Sequence, residues 1–258
     1  MSGAVQLIIV AIIAFLSSLL NTVSGGGFGT IFTPSLVLLG YDLKEAVVCS
    51  LISQITSNIS VTMIYHRFGV IMEVGIRRKF YKDIFLMSVC GLIGVLVSLF
   101  LLVNLPYSVF KIYTGLMVML VGLLVLTIKR EIKEETTSAI KLAAISIVSA
   151  FNKCVSGGGF GPLLSGGQVL SGIKVKSALI RTFIVEMVVC AGGLLIYLYI
   201  GVIIDAYLLL TASLCSAVVS PLSVRIIRSV SEDSLRKIMG MLITILGIAM
   251  LLKVSMTF

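Results

Sequence analysis

The chain has 258 residues, of which 59% are hydrophobic and 12% charged, with a net charge of +9. A soluble domain of this size carries about twice that charged fraction, and a mean hydropathy of +1.18 excludes one here. The basic residues that could suggest nucleic acid fall in short loops between apolar runs, where they read as topology signals. What remains is an all-α polytopic membrane protein, with the lipid bilayer as a partner, no separate soluble domain and no nucleic-acid partner.

In chain order the apolar runs of the first half are Ala4–Leu20, Thr30–Leu39, Ala46–Tyr65, Ile84–Val103 and Val109–Ile128. A polar joint follows from Lys129 to Ser138, with Lys129, Arg130, Glu131, Lys133, Glu134 and Glu135. The second half has Ile140–Phe151, Pro162–Leu170, Ala178–Ile200, Ile203–Val224 and Leu235–Leu252. Several runs reach or approach the roughly 20 residues that cross a bilayer. The expectation is eight to ten membrane segments: a first repeat over 1–130, a connecting loop over 131–138 and a second repeat over 139–258. Ala4–Leu20 lacks the basic start of a signal peptide and aligns with a later run, so it reads as mature protein.

The two halves share a phrase. Val23-Ser24-Gly25-Gly26-Gly27-Phe28-Gly29 returns unchanged, 132 positions on, as Val155-Ser156-Gly157-Gly158-Gly159-Phe160-Gly161. At the same offset Gly40 meets Gly172, Lys44 meets Lys176 and Tyr65 meets Tyr197. After a seven-residue deletion the offset becomes 125, so that Cys90 meets Cys215, Gly115 meets Gly240 and Gly122 meets Gly247. This is an internal duplication. The basic segment Arg67–Lys82 and the joint Lys129–Lys141 read as cytoplasmic, whereas the uncharged Asn104–Ser108 reads as outside. The loop at Gly201 has no basic residue and reads as outside, and Arg225–Lys237 reads as inside. The same loop therefore lies on opposite sides in the two halves, as expected of two inverted five-segment repeats.

Three consecutive glycines are costly in a helix, so each triplet predicts a break. The segments after the breaks have roughly 10 residues, about 15 Å of helix, which reads as a hairpin reaching the midplane. Broken helices at matching places in two halves point to a secondary transporter's substrate site. Such breaks expose backbone N–H groups at the positive end of a helix dipole. Gly25, Gly26 and Gly27 with Ser24 and Asn21, facing Gly157, Gly158 and Gly159 with Ser156 and Asn152, would form a small anion pocket. The alternative is that the glycines only allow tight helix crossing. No Lys-Ser/Thr follows them, so a phosphate-binding Walker loop is excluded.

Glu186 lies about 15 Å into its span, where a carboxylate is a functional candidate by default. Its repeat equivalent is Gln54. Lys153 precedes the second break and could hold an anion, and Arg181 either snorkels or adds positive charge to the pocket. The five-residue spacing of Arg181 and Glu186 argues against a pair within the helix. Ser53, Gln54, Thr56, Ser57 and Asn58 line the opposite wall, or bond helix to helix. Cys49, Cys90, Cys154, Cys190 and Cys215 read as small buried hydrophobes, His66 as an interfacial residue, and Glu73 and Asp205 as solvated. No metal-ligand, hydrolase or other catalytic pattern is present and no cofactor is implied. Gly91-x-x-Gly94 could pack within the chain or between two copies in a homodimer.

The glycine-triplet break near the end of the first helix, repeated in the second half of a membrane protein of this length, resembles the TauE/SafE sulfite and organosulfonate exporter family. Ser24–Gly29 with Pro34, Ser156–Gly161 and the repeat layout carry the resemblance, which covers nearly the whole chain. It implies a multi-pass transporter of the cytoplasmic membrane, not an enzyme, that moves sulfite, sulfoacetate or related sulfur-containing anions. The family's glycine regions correspond to Gly25–Gly27 and Gly157–Gly159. From the residues themselves the expectation is anion binding between the breaks, with Glu186 coupling protons to alternating access. An anion channel and a non-transporting scaffold or sensor subunit are the alternatives. Pro34 has Gly166 rather than proline as its partner, so the two hairpins are expected to differ.

Overall fold

The computed structural model describes residues 3–25, 27–67, 78–102, 107–127, 137–156, 159–199, 201–202 and 204–255. Among them every regular element is a helix. The first half forms α1 (Gly3–Ser24), α2 (Phe28–Leu38), α3 (Leu43–Arg67), α4 (Arg78–Leu102) and α5 (Tyr107–Thr127). The second forms α6 (Ala139–Ser156), α7 (Phe160–Leu170), α8 (Val175–Tyr199), α9 (Ala206–Ser229) and α10 (Glu232–Ser255). Among the described residues each apolar run of the sequence contributes one helix, and most of these helices start or end beyond the run. The extensions take in polar residues with partners inside the fold, such as Asn21 on α1 and Lys153 on α6, so these side chains stand on helices rather than in the breaks.

Among the described residues, five helices are long and apolar enough to cross a bilayer: Val5–Thr22, Lys44–Arg67, Arg78–Ser98, Val175–Tyr199 and Ala206–Arg225. The helix Phe28–Leu38 is apolar but short. Large apolar side chains cover the outside, among them Ile8, Phe85, Leu195, Leu214 and Val218. Inside, an apolar core that includes Phe32, Leu142 and Phe183 also holds buried polar side chains, among them Ser18, Asn21, Ser57, Asn58 and Glu186. This distribution suits lipid, because apolar surface costs nothing there and a polar group must find a partner within the protein.

The packing respects the duplication. The α4–α6 contact matches α9–α1, α3–α9 matches α8–α4, and α2–α3 matches α7–α8, while α3–α8 and α5–α10 join equivalent helices. In the α5–α10 crossing, a side chain on Gly122 would meet the backbone of Thr244, and one on Gly247 the backbone of Met119. Met119 and Thr244 are themselves related by the 125 offset, so the crossing is built twice from equivalent positions. Gly94 likewise admits the backbone of α6 at Ile147, and Gly91 faces Val189. The Gly91-x-x-Gly94 face therefore packs within the chain.

Despite the misplaced proline, α2 and α7 match. Each has 11 residues and begins after a glycine with positive φ, Gly27 at 122° and Gly159 at 79°. Each ends in a Schellman turn, with the Tyr41 N–H donating to Leu36 O and the Ile173 N–H to Gln168 O, both at 3.1 Å.

Gly247→Leu should destabilise the protein by about 1–3 kcal/mol or more, because the clash is with backbone that has no rotamer to adopt. Thermal unfolding in detergent measures this. Gly40→Ala, which meets no atom within 4 Å but carries a φ of 94°, should cost only about 1–2 kcal/mol of backbone strain.

Candidate functional site

The site begins with spacing. Gln54 and Asn58 are four apart on α3 and share a helix face, and Glu186 and Cys190 are four apart on α8. Asn21 lies in the last turns of α1 and Lys153 in the last turn of α6. The 132 offset carries Asn21 onto Lys153, Gln54 onto Glu186 and Asn58 onto Cys190. Each half thus contributes the same three positions, the first with three amides and the second with an ammonium, a carboxylate and a thiol. The α3–α8 contact brings the two sets together.

Lys153 Nζ donates to Glu186 Oε1 at 2.9 Å and also to Gln54 Oε1. Asn58 Nδ2 donates to the other carboxylate oxygen, Glu186 Oε2, at 3.0 Å. Asn21 Nδ2 donates to Asn58 Oδ1, and Asn21 Oδ1 accepts the backbone N–H of Phe28, each at 3.3 Å. The Cys190 thiol donates to Gln54 Oε1 at 3.4 Å. Lys153 is 5% exposed and Glu186 1%. A buried ion pair persists only when further hydrogen bonds satisfy its remaining donors and lone pairs, and here the amides of α3 do so. Glu186 stands near the middle of the 25-residue α8, at membrane depth.

Both breaks touch this network. Phe28, the first residue of α2, hangs its N–H on Asn21. Phe160, the first residue of α7, places its ring centroid 5.5 Å from Lys153 Nζ. The Gly159 N–H donates to Thr30 Oγ1 on α2 at 3.2 Å, so the two breaks meet. Gly25, with φ of 75°, sits against Leu179 of α8 and Ser165 of α7. The N–H groups of Phe28 and Gly159 are thus held by side chains of the protein itself.

Toward the two ends of the site the halves differ. In the first-half seam Ser18 bonds Ser57 at 3.0 Å and the Ser216 carbonyl at 2.9 Å, and Cys49 donates to the Leu208 carbonyl at 3.9 Å. The equivalents of Cys49 and Leu208 are Arg181 and Asp83. Arg181 Nη1 lies 3.4 Å from Asp83 Oδ2 on α4, and its guanidinium carbon stands 5.1 Å from the centroid of Phe80. Both charged groups are buried, at 4% and 6% exposure, so Arg181 does not snorkel to the surface.

Of the residues singled out in the sequence, Asn21, Gln54, Asn58, Lys153 and Glu186 come together. Gly27 and Gly159 start the short helices. Arg181 takes its partners on α4. Asn152 is buried beside Lys153 on α6, and the duplication matches Asn21 to Lys153 rather than to Asn152. Gly26, Gly157 and Gly158 and the side chains of Ser24 and Ser156 lie outside the described residues. Sequence reading passed over Cys190, Asp83, Thr30 and Phe160 as site residues. The repeat offset held the signal for Cys190, since it is the equivalent of Asn58. No group of three or more His, Cys, Asp or Glu placed to hold a metal ion occurs among the described residues.

Lys153→Met should leave the Glu186 charge uncompensated and cost about 3–5 kcal/mol of stability. Adding Glu186→Gln should recover most of it, which thermal unfolding of the single and double variants would measure.

A comparison with curated proteins finds no match. The family model described as Sulfite exporter TauE/SafE matches residues 10–250, nearly the whole chain. With its apolar exterior and membrane-length helices, the chain belongs to the TauE/SafE family of membrane sulfite exporters.

Proposed function

We propose that this protein is a secondary active transporter that moves a small sulfur-containing anion, such as sulfite or an organosulfonate including sulfoacetate, across the cytoplasmic membrane. The observation that carries this reading is the buried Lys153–Glu186 pair, clamped by Gln54 and Asn58 at the junction of the two halves. Lys153 is the cation that receives the anion, and Glu186 is the group that accepts and releases a proton. Asn21, Gln54 and Asn58 supply neutral donors, which suit the several oxygens of a sulfur oxyanion.

Alternating access follows from two inverted repeats moving against each other about this junction, with the short α2 and α7 helices carrying the site walls. The matched helix packings and the basic loops support that arrangement. The Arg181–Asp83 pair closes the cytoplasmic side, toward which the basic loops point. A channel would need a continuous pore, whereas the hydrogen bonds and side-chain packing around Glu186 leave it 1% exposed.

Purified protein in liposomes should show saturable sulfite uptake that a pH gradient accelerates. Lys153→Gln should lower uptake about 100-fold or more, the loss expected when a charged hydrogen bond of roughly 3 kcal/mol is removed. Flux far above carrier rates without accumulation would make the protein a channel, and absence of saturable flux for any sulfur anion would make it a scaffold. Asp83→Asn should weaken the cytoplasmic closure and raise labelling of Cys190 by a thiol reagent applied from that side. Unchanged labelling, with transport intact, would remove Arg181–Asp83 from the closure.

A further inference from the structure

The electric charge of the site constrains what enters it. Lys153 and Glu186 are a neutral couple enclosed by neutral groups. Among the elements packed on α8, α3 presents the amides Gln54 and Asn58 to the pair. The short α7 has no ionisable residue. The α4 helix carries Arg78, Lys79, Tyr81, Lys82 and Asp83 in its first two turns, Asp83 facing the buried Arg181, and the Cys90 thiol further along. The α10 helix carries its ionisable groups, Glu232, Asp233, Arg236, Lys237 and Lys253, near its two ends. On α8 itself the Cys190 thiol lies one turn from Glu186 and hydrogen-bonds Gln54. Among the described residues the buried charges are Lys153, Glu186, Arg181 and Asp83, and the last two face each other.

A low-dielectric site resists net charge. With Glu186 ionised, an incoming monoanion would leave the site at minus one. With Glu186 protonated, the carboxylic acid no longer competes for Lys153, and ammonium plus monoanion is again neutral. A dianion leaves the site negative in either state. Glu186 therefore acts as a resident anion that occupies Lys153 while substrate is absent and yields it on taking a proton.

We infer that the site carries monoanions only, one proton with each, so that transport is electroneutral. The inference rests on the transporter reading above and narrows it to the singly charged forms, hydrogen sulfite and monosulfonates, and away from sulfate or the doubly ionised form of sulfoacetate. In the binding step a proton from the water on one side forms the O–H bond on Glu186, the Lys153–Glu186 contact breaks, and a substrate oxygen takes its place. Release on the other side reverses each change and returns the proton to that side's water. No electron moves.

The test uses the whole protein in liposomes with the membrane potential clamped by potassium and valinomycin. The probes are methanesulfonate, a fixed monoanion, and sulfate, a dianion. A gradient of about one pH unit should accumulate methanesulfonate roughly tenfold, the ratio that one coupled proton supports. Imposing about 100 mV should leave that ratio unchanged, whereas one uncompensated charge would shift it roughly fifty-fold. Sulfate should not accumulate. A ratio that follows the potential, or sulfate uptake at a comparable rate, overturns the inference while leaving a transporter in place. Absence of flux for methanesulfonate, sulfite and every other sulfur anion overturns the transporter reading and the inference with it.

Glu186→Gln supplies the second arm. Its loaded site is neutral without a proton, so it should still exchange internal for external methanesulfonate while losing the tenfold response to pH. Retention of the full response in this variant overturns the role given to Glu186. Should the variant fail to fold, the potential dependence of the wild-type protein decides alone.

Discussion

A single ion pair organises the centre of this molecule. Two opposite charges in a membrane protein's interior are tolerated only as a neutral, fully bonded unit. Meeting that condition draws in Gln54 and Asn58 from α3, Asn21 from α1 and, through Asn21, the first peptide of α2. Helices far apart in the chain thus converge because one carboxylate and one ammonium have nowhere else to be satisfied. The same requirement ties Glu186 and Lys153 to the helices whose amides satisfy them.

Around that centre a duplicated scaffold carries unequal chemistry. The backbone arrangements of the halves match at the short helices, at their positive-φ glycines and at the α5–α10 crossing. The side chains at equivalent places do not match. Amides in the first half face charges in the second, and the thiol–carbonyl contact of Cys49 with Leu208 corresponds to the ion pair of Arg181 with Asp83. The scaffold supplies two similar helix seams, one bonded through hydroxyls and a thiol and the other through an ion pair.

Glycine serves two physical purposes here. At Gly27 and Gly159 it allows a backbone turn that starts a helix inside the protein. At Gly94, Gly122 and Gly247 it lets helix backbones touch, which matters in lipid because hydrophobic burial does not drive helices together there.

The helical class, the ten apolar runs, the duplication and the candidacy of Glu186 and Lys153 were legible in the chain. Each follows from a local property: hydropathy, a repeated word, or a charge inside an apolar run. The union of Lys153 with Glu186, Gln54 and Asn58 was not legible, because spacing along a helix predicts neighbours only within that helix. Arg181 shows the limit most clearly. Its sequence neighbours offered the bilayer surface or the pocket, and the fold gave it Asp83, nearly a hundred residues earlier in the chain. Composition and periodicity determine which segments enter the membrane and which residues are costly there. Which costly residues cancel one another is decided only when the helices pack, because charge compensation depends on distance in space and not on distance along the chain.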